Sequence, residues 1–86
     1  MELQQQFEAA VANSKTLSEK PDNETLLKLY SLYKQATDGD CTDAEPTNPF
    51  DFVARAKYQA WASLKGTSTT EAKEQYVALV THLKAN

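Results

Sequence analysis

The sequence predicts an all-α protein, a small bundle of four helices with one long crossover. Three observations predict it. Apolar residues recur at helical spacing in four separate stretches, and no period-two alternation runs long enough for a strand. Both glycines follow helical runs, Gly39 after Thr25–Asp38 and Gly66 after Phe52–Lys65, where a left-handed backbone closes a helix. The prolines, Pro21, Pro46 and Pro49, all lie outside the periodic stretches. At 86 residues the chain is expected to form one domain, residues 1–86.

The first helix is predicted from about Glu2 to Asn13, with Leu3, Phe7, Ala10, Val11 and Ser14 on one face. After Lys20-Pro21, Asp22 or Asn23 caps the second helix, ETLLKLYSLYKQAT. Its face carries Leu26, Leu29, Tyr30, Tyr33 and Thr37, widened by Leu27 and Leu32. The polar segment Asp38–Asp51 is longer than the usual link between neighbouring helices, so the next helix need not form a simple antiparallel hairpin. The third helix begins near Asp51 and places Phe52, Val53, Ala56, Ala60 and Leu64 on its apolar face, with Trp61 beside them. Ser68-Thr69-Thr70-Glu71 is a capping box that opens the fourth helix, whose stripe is Ala72, Tyr76, Leu79, Val80 and Leu83.

Composition excludes several classes. Apolar residues at 41% rule out a disordered chain, and no run approaches the ~20 apolar residues of a membrane span. A net charge of -3 argues against nucleic-acid binding. The N-terminus has neither a basic start nor a long apolar run, so no secretory signal and a cytoplasmic location are expected. The single cysteine, Cys41, cannot form an internal disulfide, and with one distant histidine, His82, it cannot build a zinc site. Asp38, Asp40 and Asp43 suggest a calcium loop, but Asp43 stands where that loop needs glycine and Pro49 where it needs glutamate. His82 is placed to complement the dipole of the last helix. No nucleophile elbow, phosphate-cradling loop or His-Glu-x-x-His pair is present, so neither an enzyme, a metal nor a cofactor is expected.

What remains is a set of tyrosines and lysines on helical faces. Tyr30 and Lys34 stack one turn apart on the second helix with Tyr33 nearby, Lys57 lies mid-way along the third, and Tyr76 is mid-stripe on the fourth. Tyrosine offers a flat apolar body with a hydroxyl tip, and lysine a point charge on an apolar stem. Together they suit a ligand that is greasy at one end and phosphorylated at the other. Spacing alone favours a plainer reading, in which the tyrosines edge the core and the lysines face solvent.

The literal residues shift that balance. YSLYKQATDGD, Tyr30–Asp40, followed by AKYQAWASLKGTS, Ala56–Ser68, closely resembles the acyl-CoA-binding protein family, with Ala72 and Tyr76 matching in the last helix and Phe7, Ala10, Lys15, Leu17, Pro21, Leu26 and Leu27 matching upstream. The resemblance implies a left-handed up-down-down-up four-helix bundle. It also implies a non-catalytic carrier of long-chain fatty acyl-CoA, expected to be a monomer without stable membrane insertion. Tyr30 and Tyr33 would line the ligand pocket, Lys34 and Lys57 would meet the nucleotide phosphates, Tyr76 would pack beside the ligand, and Lys15 would sit at the mouth. Phe7, Ala10 and Leu27 would border the acyl channel.

Three features depart from the family pattern. Glu45 precedes Pro46 where a basic residue is common, Thr47 replaces a glycine in a loop one residue longer through Asn48-Pro49-Phe50, and Tyr58 replaces a tryptophan. The anion at Glu45 opposes phosphate binding and favours a second reading, a helical protein-interaction module that has lost strong ligand binding.

Overall fold

The computed structural model describes residues 2–42 and 44–85, and its elements are α1 (Leu3–Ser14), α2 (Asn23–Asp38), α3 (Phe52–Ala62) and α4 (Thr69–Ala85). Local chemistry sets the helix starts. Asp22 accepts from Thr25 N–H at 2.8 Å, Asp51 from Ala54 N–H at 3.1 Å, and the Ser68 hydroxyl from Glu71 N–H at 3.0 Å. Gly39 closes α2 at φ +81°, and Gly66 ends the turn after α3 at φ +93°. A side chain at either position would be strained. His82 and Lys84 occupy the last turn of α4, where cations complement the helix dipole. Asp43, on which the calcium-loop pattern broke, lies outside the described residues.

Helix directions follow from which residues meet. Leu3 shares a groove with Thr70 and Glu74, and Asn13 shares another with Thr81 and Lys84, so α1 and α4 run in the same sense. Leu26 faces Phe52 and Val53, and Lys34 reaches Trp61, so α2 and α3 also run in the same sense. Gln35, near the end of α2, bonds Thr67, just before α4, so these two helices are opposed. The result is an all-α four-helix bundle in up-down-down-up order. Among the described residues, α4 packs on α1 and α2, and α3 packs on α2 alone.

The core is Phe7 and Ala10 of α1, Leu29, Leu32 and Ala36 of α2, and Ala72, Tyr76 and Val80 of α4. Complete burial of a leucine or valine stabilises by about 1.5–3 kcal/mol, so Leu32 and Val80 are principal contributors. Two expectations need correction. The buried face of α2 runs through Leu29, Leu32 and Ala36, while Tyr30 is half-buried and Tyr33 and Thr37 are exposed. Phe52 and Val53 are 74% and 65% exposed, because among the described residues α3 has one neighbouring helix and buries only Trp61.

A polar knot ties the crossover. The buried Gln35 amide donates to Asp40 Oδ1 at 2.9 Å and to the Thr67 carbonyl at 2.7 Å, and these two acceptors fix its orientation. The Gly66 N–H donates to the same Asp40 oxygen at 3.0 Å, and the Trp61 indole N–H to the Gly39 carbonyl at 2.9 Å. The Gly66 N–H first, then the Gln35 amide, hold the Asp40 carboxyl below its ordinary pKa. Bonding by Thr25, side chain first and amide second, does the same for Asp22.

A depressed carboxyl pKa contributes stability above the unfolded value, 3.8, that is lost as pH falls through the folded value. Thermal melts of the wild type should therefore show an Asp40 contribution that disappears below that pH, and Asp40→Asn should lose less stability across the same acid range. Gln35→Ala removes the donor to the part-buried Thr67 carbonyl and to Asp40, and should cost about 1–3 kcal/mol in denaturant melts at neutral pH.

Candidate functional site

The parallel pair α2 and α3 leaves a cleft of about 370 Å³, lined by Leu26, Leu27 and Tyr30 on one side and Phe52, Val53, Ala56 and Lys57 on the other. It persists because α3 is anchored at its far end. Trp61 is buried and hydrogen-bonded to Gly39, whereas the first turn of α3 carries exposed Phe52 and Val53.

Each helix of the pair contributes a lysine to a ring on the other. Lys57 Nζ of α3 lies 5.2 Å from the Tyr30 ring centre, and Lys34 Nζ of α2 lies 4.8 Å from the Trp61 ring centre. Both distances allow cation–π attraction. The contacts lie one helical turn apart, so the cleft grades along its length. Its end at Leu26, Phe52 and Val53 is apolar, Lys57 lies at its other end, and Lys34 on the Trp61 ring follows one turn beyond. Lys34 also pairs with Asp38 at 2.6 Å.

Tyr30 is the wall shared by three recesses. Besides the α2–α3 cleft, it borders a recess with Ala44, Pro46, Lys57, Tyr58 and Trp61, and another with Lys15, Tyr33 and Tyr76. The structure therefore brings Lys15, Tyr33, Lys57 and Tyr76 to recesses that share the Tyr30 ring, while Lys34 meets the neighbouring Trp61 ring instead. Tyr33 and Tyr76 continue as an aromatic cluster with Phe7, whose ring centre lies 6.0 Å from Tyr33 and 5.2 Å from Tyr76. Tyr76 is itself buried, and its hydroxyl donates to Ser14 Oγ at 3.1 Å, while Ser14 bonds the Val11 carbonyl. Tyr76 thus ties α4 to α1 as well as edging the recess.

The residues expected along an acyl channel do not share one cavity. Leu27 lines the α2–α3 cleft. Phe7 is buried against Tyr33 and Tyr76, and Ala10 lies between α1 and α4, because both are core positions of α1. The spacing argument did not identify Trp61 as the ring under Lys34, nor Phe52 and Val53 as cleft walls.

The fold and cleft define a small all-α protein with an amphipathic surface site. A family model described as acyl CoA binding protein matches residues 4–80. The acyl-CoA-binding protein of Dictyostelium discoideum is 52% identical over 77 residues, covering 90% of this chain and 90% of the relative. The crystal structure of Oryza sativa acyl-CoA-binding protein 2 superposes with a TM-score of 0.89 at 40% identity, covering 95% of this chain and 90% of that one. Enoyl-CoA delta isomerase 2 of Rattus norvegicus is 46% identical over 83 residues, which are 96% of this chain but only 21% of the isomerase. The chain belongs to the acyl-CoA-binding protein family.

Tyr76→Phe should cost about 0.5–1.5 kcal/mol of stability through loss of the Ser14 bond. Ligand affinity should change little, since the ring edge remains in place. Paired denaturant melts and ligand titrations of this variant separate the two roles.

Proposed function

We propose that this protein binds long-chain fatty acyl-CoA thioesters and carries them as an exchangeable pool, without catalysing a reaction on them. The observation that carries the reading is the gradient along the α2–α3 seam, apolar at Leu26, Leu27, Phe52 and Val53, then cationic at Lys57 and, one turn beyond the cleft, at Lys34. An acyl-CoA has the same polarity along its length. Each buried methylene contributes up to about 0.8 kcal/mol, reduced by the entropy of association. The phosphates reward the lysines, which serve as point charges and need no bidentate geometry.

In this reading Tyr30 and Tyr33 flank the nucleotide, Lys34 and Lys57 meet its phosphates, and Lys15 stands at the entrance beside Tyr76. The domain is a single unit over residues 1–86, acting as a cytoplasmic monomer with no cofactor beyond its ligand. Relatives named for acyl-CoA binding support it. So does the fusion of a matching segment to an isomerase named for a CoA substrate. No helix among the described residues is long and apolar enough to cross a membrane. A protein-interaction module is the second reading, favoured by Phe50, which is 81% exposed and borders none of the recesses described.

Calorimetry with palmitoyl-CoA, free CoA and palmitate tests the proposal. Palmitoyl-CoA should bind far more tightly than either half. Palmitate bound as well as palmitoyl-CoA would indicate a generic lipid carrier, and no binding of any of the three would favour the interaction module. Lys34→Ala should weaken palmitoyl-CoA binding by about 1–3 kcal/mol, the scale of a hydrogen bond to a charged group. Glu45→Arg should tighten it, most strongly at low salt, where exposed charges are least screened.

A further inference from the structure

We propose that Asp38 is an internal competitor for Lys34, so that the ligand enters the cationic end of the cleft by anion exchange and Asp38 sets the affinity. The inference rests on the acyl-CoA reading above. Lys34 Nζ lies 2.6 Å from Asp38 Oδ2 while resting over the Trp61 ring, so one ammonium holds a carboxylate and an aromatic face together. Both partners of the pair are partly exposed, which leaves the contact open to an incoming anion.

The position of Asp38 is itself informative. It is the last residue of α2, at the negative end of the helix dipole, and the last turn holds no basic residue. A carboxylate there is disfavoured by the helix, and Lys34 one turn back supplies the compensating charge. The neighbouring acid, Asp40, is engaged by Gln35 and Gly66. Asp38 is thus a carboxylate that the structure places on Lys34.

A phosphate that reaches Lys34 displaces the Asp38 carboxylate from its hydrogen bond and then remains close to that negative charge. Wild-type binding breaks the Lys34–Asp38 pair as the phosphate pair forms, whereas a chain without the Asp38 charge has no such pair to break. Two consequences follow. Removing the charge tightens binding, and it steepens the dependence of affinity on salt, because more ion pairing is gained on association. A residue that merely positioned Lys34 would produce neither.

The test is calorimetric titration with palmitoyl-CoA across a salt series, using the wild type, Asp38→Asn, Lys34→Ala and the double variant. Glu8→Gln, on the exposed side of α1, controls for net charge. Asp38→Asn should bind about two- to five-fold more tightly than the wild type at low salt, the span expected for an exposed ion pair, and converge with it at high salt. The gain should vanish in the Lys34→Ala background, and Glu8→Gln should bind like the wild type. Unchanged or weaker binding by Asp38→Asn, with Lys34→Ala still impaired, overturns the competition while leaving the acyl-CoA reading intact. A gain that persists without Lys34, or that Glu8→Gln reproduces, overturns it as a general charge effect. Absence of palmitoyl-CoA binding by the wild type instead overturns the reading beneath it.

Discussion

The site depends on how α3 is attached. Among the described residues, α3 packs on no helix but α2 and buries only Trp61, whose indole N–H is fixed to the Gly39 carbonyl. One aromatic anchor at one end leaves the opposite end free of packing. The first turn of α3, with Phe52 and Val53, then stands off Leu26 and Leu27 instead of closing on them. A second large buried residue near the start of α3 would draw the helices together and fill the cleft.

The anchor needs a rigid mount, and the crossover supplies it. Gln35 reaches both Asp40 and Thr67, Gly66 reaches Asp40, and the two glycines accept the left-handed turns that this path requires. The same segment thus fixes the end of α2, the turn after α3 and the approach to α4. Rigidity beneath the Trp61 ring also settles where the Lys34 ammonium rests, since a cation–π contact needs a ring held in place. Core packing of α1, α2 and α4 stands apart from this arrangement. Their shared cluster of Phe7, Leu32, Tyr76 and Val80 supports the fold while the cleft stays open.

The helices were legible because their signals are local. Asp22, Asp51 and Ser68 cap where a polar residue precedes a periodic run, and Gly39 closes α2 within one residue of the expected end. The face of α2 was less legible. Leu29, Leu32 and Ala36 share the helical period of Tyr30 and Tyr33, so spacing does not say which stripe meets the core and which meets a ligand. Phe52 and Val53 read as core because their exposure depends on α3 having a single neighbour, a property of the whole bundle. The cationic end was gathered from the two literal blocks, which name Tyr30, Lys34 and Lys57. The crossed contacts Lys34–Trp61 and Lys57–Tyr30 depend on the parallel register of two helices separated by a long loop, which spacing along one helix does not encode. Asp38 was visible one turn from Lys34, but it read as part of an acidic loop and not as the lysine's partner.

The central claim is that the nucleotide end of the ligand binds at the crossed lysine–aromatic pairs between α2 and α3. The most direct measurement is an NMR titration of the isotopically labelled protein with free CoA, which lacks the acyl chain and so reports the polar end alone. The account predicts the largest shifts at the Trp61 indole and at Tyr30, Lys34 and Lys57, with α1–α4 groove residues such as Ala9, Asn13 and Thr81 little changed. Shifts concentrated in that α1–α4 groove, with the Trp61 indole unmoved, would contradict it.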